Sequence, residues 1–241
     1  MRSPLRWATA SIFAFTLLVY LGAAPMVAQQ ALDSTKADPA HHKVEFENEQ
    51  VRVVRYHIEA GDQTVRHSHP DSVLVVLHGG SVQNTSDDGK TTTTEVKDGA
   101  AVWRPALTHV TKNVGNKPIE GFIIEPKNPH SARPAGSADE TTEPNPLAKV
   151  EFENDKVRVV RYRFNPGDKN AMHGHPDNVQ VVLTDTKANV TTPDGKTTPS
   201  QGKAGQVNWR PATVHSVQNT GDKPFEGVDV EMKGTPAAAT K

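Results

Sequence analysis

The chain repeats itself at a fixed offset. Sliding the 241-residue sequence by 106 positions aligns Lys43–Lys127 with Lys149–Lys233 without a gap, and about half the aligned positions are identical. "KVEFENEQVRVVRY" faces "KVEFENDKVRVVRY", and "DGKTT" recurs at Asp88 and Asp194. "WRPALTH" from Trp103 faces "WRPATVH" from Trp209. A constant offset over this length marks a duplicated structural unit, and two copies are too few for a solenoid. Each copy has the size of one small domain.

Within a copy the apolar runs are short and rich in Val: "VRVVRYHI", "VLVVL", "GAAVWRP", "IEGFIIE". Turn signals separate them, among them "AGDQ" and "PGDK", "DDGK" and "PDGK", "VGNKP" and "TGDKP". No stretch after the first 30 residues has a 3.6-residue apolar period. The pattern predicts an all-β fold with one barrel or sandwich per copy. The domains are expected at 43–127 and 147–233. Between them "NPHSARPAGSADETTEPNP", residues 128–146, reads as a flexible linker, rich in Pro, Ser and acids. The flanking "QQALDSTKADPAHH" and the tail at 234–241 read as unstructured.

The N-terminus is of another kind. Arg2 and Arg6 precede an apolar run from Ala8 to Ala24, then "PMVAQQ". This describes a secretory signal peptide over residues 1–28, cleaved after Ala28. The run is short for a membrane span of ~20 residues, so no stable membrane anchor is expected after cleavage. The expected location is exported, periplasmic or secreted. The sequence has no Cys, so neither disulfides nor a Cys-linked lipid contribute. A formal net charge of −1 gives no basic field for nucleic acid.

Residues i and i+2 of a strand point to one face, so His67 with His69, and His173 with His175, project together. Imidazole pairs of this kind suit Fe, Mn, Zn, Cu or Ni. A third histidine follows in each copy, His109 and His215, so six metal-ligand candidates recur at identical offsets. Other histidines do not recur: His57 faces Arg163 and His78 faces Thr184.

The spacing now resembles a known family. Gly-x5-His-x-His is Gly61, His67, His69 and again Gly167, His173, His175. Gly-x5-Pro-x3-His-x3-Asn is Gly99, Pro105, His109, Asn113 and again Gly205, Pro211, His215, Asn219. These are similar to the two motifs of the cupin superfamily, the second one residue shorter between Pro and His than usual. The resemblance covers both copies. It implies a bicupin: two tandem cupin-like double-stranded β-helix (jelly-roll) barrels, histidines pointing into each barrel mouth. Two barrels on one chain have the option of an intramolecular pseudo-dimer, which the linker does not force.

The sequence departs from the family in one respect. Cupin metal sites usually add a Glu shortly after the His pair; here those places hold Val73 then Leu74, and Val179 then Gln180. Alternation puts Val73, Val75 and Leu77 on one face, expected to form an apolar inner wall. Three arrangements stay open: a three-histidine metal site, a substitute carboxylate, or no metal. Asp71 and Asp177 read as turn residues. Glu120 and Glu226 share parity with Val228 and Val230 and are candidates for an inward, catalytic carboxylate. Arg104 and Arg210 read as outward, with a substrate-carboxylate clamp as the alternative.

Three-histidine cupins include ring-cleaving, thiol and diketone dioxygenases. The resemblance therefore implies a divalent-metal protein, and if an enzyme, a dioxygenase-like oxidoreductase acting on a small organic acid or aromatic. The alternative is a non-catalytic module that binds a small ligand or sequesters metal.

Overall fold

The structure is a computed structural model and describes residues 32–142 and 147–234. The signal peptide expected at 1–28 lies outside the described residues, as does nearly all of the tail. Among the described residues no helix is long and apolar enough to cross a membrane.

The first copy forms β1 (His42–Glu47), β2 (Val51–Ile58), β3 (His67–His69), β4 (Ser72–His78), β5 (Gly80–Ser86), β6 (Thr91–Val96), β7 (Ala101–Arg104), β8 (Leu107–Asn113) and β9 (Ile119–Pro126). The second repeats them as β10 (Ala148–Glu153), β11 (Val157–Phe164), β12 (His173–His175), β13 (Asn178–Val182), β14 (Thr186–Thr191), β15 (Thr197–Gly202), β16 (Val207–Arg210), β17 (Thr213–Asn219) and β18 (Phe225–Met232). Each copy folds into a five-stranded sheet, β1-β2-β9-β4-β7 or β10-β11-β18-β13-β16, and a four-stranded sheet, β3-β8-β5-β6 or β12-β17-β14-β15. This is the expected all-β pair of jelly-roll barrels.

The five-stranded sheets bury both faces. One face closes its own barrel: Val54, Leu74, Val76 and Ile123 form the interior core of the first. The opposite faces of the two sheets share one core, with Val73, Val75, Phe122 and Ile124 from one copy packed with Val179, Val181, Val228 and Val230 from the other. Trp103 and Trp209 pack against the same seam. This corrects the expected inner wall: Val73 and Val75 face the other barrel, and Leu74 and Val76 face the cavity. A strand apolar on both faces carries no mark of which face is inside.

Reciprocal bonds bind the seam. Arg55 donates to the Gly205 carbonyl at 2.9 Å, and Arg161 to the Gly99 carbonyl at 2.5 Å. Gly99 and Gly205 turn the chain at positive φ, 72° and 81°, where a side chain would strain the backbone. Asp71 accepts from Lys156 and Asp177 from Gln50, both at 2.6 Å. The same two carboxylates accept from the backbone of Ala106 and Ala212.

Two segments read as unstructured are held in place. Asp33 caps the short α1 (Ser34–Ala37) and bridges Ser68; one offset later, Asp139 bridges Gly174. The repeat thus begins about ten residues earlier than the alignment suggested. Residues 128–142, expected to be a flexible linker, are fastened to the second barrel. Arg133 donates to the Gly174 carbonyl and to Asp139, and Ser131 accepts from Asp177.

A shared core couples the two copies. Urea denaturation followed by Trp fluorescence is expected to show one cooperative transition for both barrels. Phe122→Ala, which empties a fully buried position in the seam, is expected to lower stability by ~3–5 kcal/mol.

Candidate metal centres

The third histidine reaches the pair by strand register. His67 stands opposite His109 across β3 and β8, and His173 opposite His215 across β12 and β17. Asn113, at the end of the second motif, holds this geometry. Its amide donates to the Ile58 and Lys117 carbonyls and its oxygen accepts from Gly115, and Asn219 repeats all three bonds.

In the first barrel the rings of His67, His69 and His109 lie 4.7–5.5 Å apart between centroids. A fourth ring, His42 at the start of β1, stands 4.7 Å from His67 and 5.7 Å from His69. Ligand atoms of His42, His67 and His69 lie within 4.8 Å of one another. His67 Nδ1 donates to the Val65 carbonyl at 2.7 Å, which leaves its Nε2 as the lone-pair nitrogen. That Nε2, His109 Nε2 and His42 Nδ1 are buried without a hydrogen-bond partner. Burial lowers His42 to about 3 and His109 to about 2, with the neighbouring imidazoles adding to it, and burial also lowers His67. These rings are neutral, as a metal requires.

In the second barrel ligand atoms of His173, His175 and His215 lie within 4.8 Å of one another. His173 Nδ1 donates to the Ala171 carbonyl at 2.9 Å, and His175 Nδ1 lies 3.3 Å from both Glu231 and Glu140. Their Nε2 atoms then face each other at 2.9 Å. Two lone pairs cannot share that space, so a proton or a cation belongs between them. Burial alone would lower His175, but the hydrogen bond to Glu231 and the charges of Glu140 and Asp229 raise it to about 9. His173 falls to about 4 and His215 to about 2, both through burial first. The converging nitrogens of buried rings, three of them without partners in the first barrel, fit a divalent transition metal in either barrel.

A carboxylate stands behind one ligand in each barrel. Glu125 lies 3.5 Å from His69 Nδ1, and Glu231 3.3 Å from His175 Nδ1; each is 1% exposed. Arg52 donates to Glu125 at 2.5 Å and also to Asp33. Arg158 donates to Glu231 at 2.6 Å and to Asp139 at 2.9 Å. Such partners fix the tautomer and aim Nε2 at the site. All six recur at the 106-residue offset, which could have flagged them. His42 could not be found that way, because its counterpart is Ala148.

Glu120 and Glu226 lie elsewhere. Glu120 accepts from Arg55 at 2.6 Å, and Glu226 from Arg161 at 2.8 Å and Arg163 at 3.2 Å, beside the seam and part-exposed. Their parity with Val228 and Val230 is as read, but that face is the seam. The inward carboxylates of β18 are Asp229 and Glu231.

The cavities differ. The first, about 50 Å³, is walled by Leu74, Val76 and Ile123 with Arg104 at its lining. The second, about 440 Å³, is lined at the matching places by Gln180, Val182, Asp229 and Arg210. Both arginines therefore point inward, and the tryptophans before them face the seam. Burial pushes Asp229 above the usual carboxylate range. Glu140, from the stretch before β10, is also buried and raised.

No family model matches this chain, and no curated protein matches it. Solved structures do. A cupin domain from Bordetella pertussis Tohama I is 33% identical over 36% of this chain and 93% of its own, with TM-score 0.35. Oxalate decarboxylase from Bacillus subtilis, a protein with Mn(II) centres, is 14% identical over 78% of this chain and 69% of its own, TM-score 0.55. Salicylate 1,2-dioxygenase from Pseudoaminobacter salicylatoxidans is 13% identical over 76% and 68%, TM-score 0.53.

The buried rings set a pH profile for the metal-free protein. The unfolded chain protonates its histidines near 6.5, whereas His42, His109, His173 and His215 stay neutral when folded. Below that pH the unfolded state binds the extra protons, so stability falls with acid by up to ~1.4 kcal/mol per pH unit per ring. His175 acts oppositely: its contribution is full below pH 6.5 and is lost as pH rises through about 9. Resistance to urea is expected to peak at about pH 7. Glu231→Gln, while costing stability throughout, should shrink the alkaline fall and keep the acid one, the remaining alkaline fall coming from Glu140, whose carboxyl is raised to about 8.

Proposed function

The chain belongs to the cupin superfamily, with two cupin barrels in one polypeptide, and we propose that it is an exported metalloprotein whose barrels each hold a divalent transition metal through buried histidines. The observation that carries this reading is the convergence of buried imidazole nitrogens in both copies: three without a hydrogen-bond partner in the first barrel, and ligand atoms of His173, His175 and His215 within 4.8 Å of one another in the second. A buried polar atom left unsatisfied costs ~1–3 kcal/mol, and the first barrel concentrates three such ring nitrogens. His67, His69 and His109 would hold the ion in the first barrel, and His173, His175 and His215 in the second. Export is supported by the arginines and apolar run at the N-terminus.

The second barrel is the one proposed to act on a substrate. Its cavity has room for a small organic acid, and Arg210 faces into it without an ion-pair partner among the described residues. A guanidinium there would clamp a carboxylate in two-point fashion beside the histidines. Gln180 and Asp229 supply further polar contacts on the same wall. Asp229, with its raised affinity for protons, can give or take one at a bound acid. A bound metal would supply Lewis acidity and, if redox-active, a route for electrons to oxygen. The dioxygenase-like reading rests on that combination of an all-histidine site and an anion clamp. The first barrel, with its apolar and much smaller cavity, favours metal binding without turnover.

His215→Ala is expected to remove about one of two metal equivalents by elemental analysis, and His67→Ala combined with His69→Ala the other. Unchanged metal content in both would defeat the reading. Arg210→Met should keep the metal and weaken binding of small monocarboxylates at least ~tenfold, read by isothermal titration. Equal binding in the variant would remove the clamp.

A further inference from the structure

We propose that His42 is a fourth imidazole ligand in the first barrel, making it a closed four-nitrogen cation site different in kind from the second. The inference rests on the metal reading above and extends it to a residue outside both histidine motifs.

His42 is 4% exposed, and its Nδ1 is one of three buried ring nitrogens in this barrel with no hydrogen-bond partner. The other two are the Nε2 atoms of His67 and His109. The His42 ring is as close to His67, at 4.7 Å between centroids, as His109 is. Ligand atoms of His42, His67 and His69 already lie within 4.8 Å of one another. Metal–nitrogen bonds of ~2.0–2.1 Å need only a small inward movement from there. A histidine kept only for packing has no reason to leave a buried nitrogen unpaired, since an aliphatic residue would fill the space without that cost.

The surroundings point the same way. Leu74 and Ile123 wall the first cavity where the second has Gln180 and Asp229, and only about 50 Å³ remains. A fourth ring takes the coordination position that a substrate would need. Four imidazoles without a carboxylate ligand suit Zn(II), Cu(II) or Co(II) held as a resident ion. Ala148 replaces His42 in the second copy, which leaves that site three histidines and an open position.

Co(II) is the probe. In the full chain carrying His215→Ala, so that only the first barrel is intact, one equivalent of Co(II) should bind and give visible d–d bands. Adding His42→Gln should weaken affinity at least tenfold and shift those bands. In the full chain carrying His67→Ala and His69→Ala, which disables the first barrel, adding Ala148→His should tighten Co(II) in the second barrel and move its bands toward those of the first. If the folded His42→Gln protein binds Co(II) with the same affinity and spectrum, the proposal is overturned while the metal reading stands. If His42→Gln does not fold, Ala148→His decides, and an unchanged spectrum there overturns it. If the His215→Ala chain takes up no Co(II), the metal reading fails for this barrel and His42 with it.

Discussion

Inside each barrel, buried imidazole nitrogens are turned toward one another. Two lone pairs at 2.9 Å, as on His173 and His175, repel unless something positive sits between them. Much of the surrounding architecture serves to hold this arrangement. The β3·β8 and β12·β17 registers set the third ring opposite the first. Backbone carbonyls of Val65 and Ala171 pin Nδ1 of one ring, and Glu125 and Glu231 stand behind another. Arg52 and Arg158 donate to those carboxylates, and Asp33 and Asp139 anchor the arginines from outside. A chain of alternating charge thus runs from the segment preceding each barrel to a ligand.

The duplication preserved that chain and let the walls diverge. His42, Leu74 and Ile123 line the first cavity, and Gln180 and Asp229 line the second and make it polar, with Ala148 in place of His42. Glu140 enters beside His175 where the first copy has Ser34, so the second site carries an additional carboxyl group. The same fold therefore presents one compact, nitrogen-rich pocket and one large pocket with an arginine and carboxylates. Burial of the five-stranded sheets against each other makes the two halves one mechanical unit.

The all-β class, the two barrels and the six motif histidines were legible because they rest on period-two patterning, turn residues and spacing that survive duplication. The facing of β4 and β18 was not. Val73 and Leu74 are both fully apolar and both buried, so alternation defines two faces without saying which one lines the cavity. That ambiguity put Glu120 and Glu226 on the inside, whereas Asp229 and Glu231 point there. Composition misled at residues 128–142 and 32–42, whose polar residues look like linker because their partners are Arg52, Arg158 and Gly174, far along the chain. His42 was hidden because a residue unique to one copy is discounted by any comparison between copies.

Anomalous X-ray scattering from crystals of the metal-loaded protein tests the central claim most directly, recorded at the absorption edge of the added ion. The account predicts one strong peak among His42, His67, His69 and His109 and another among His173, His175 and His215. Crystals soaked in that ion with no peak inside either barrel, or with peaks only on the surface, would contradict it.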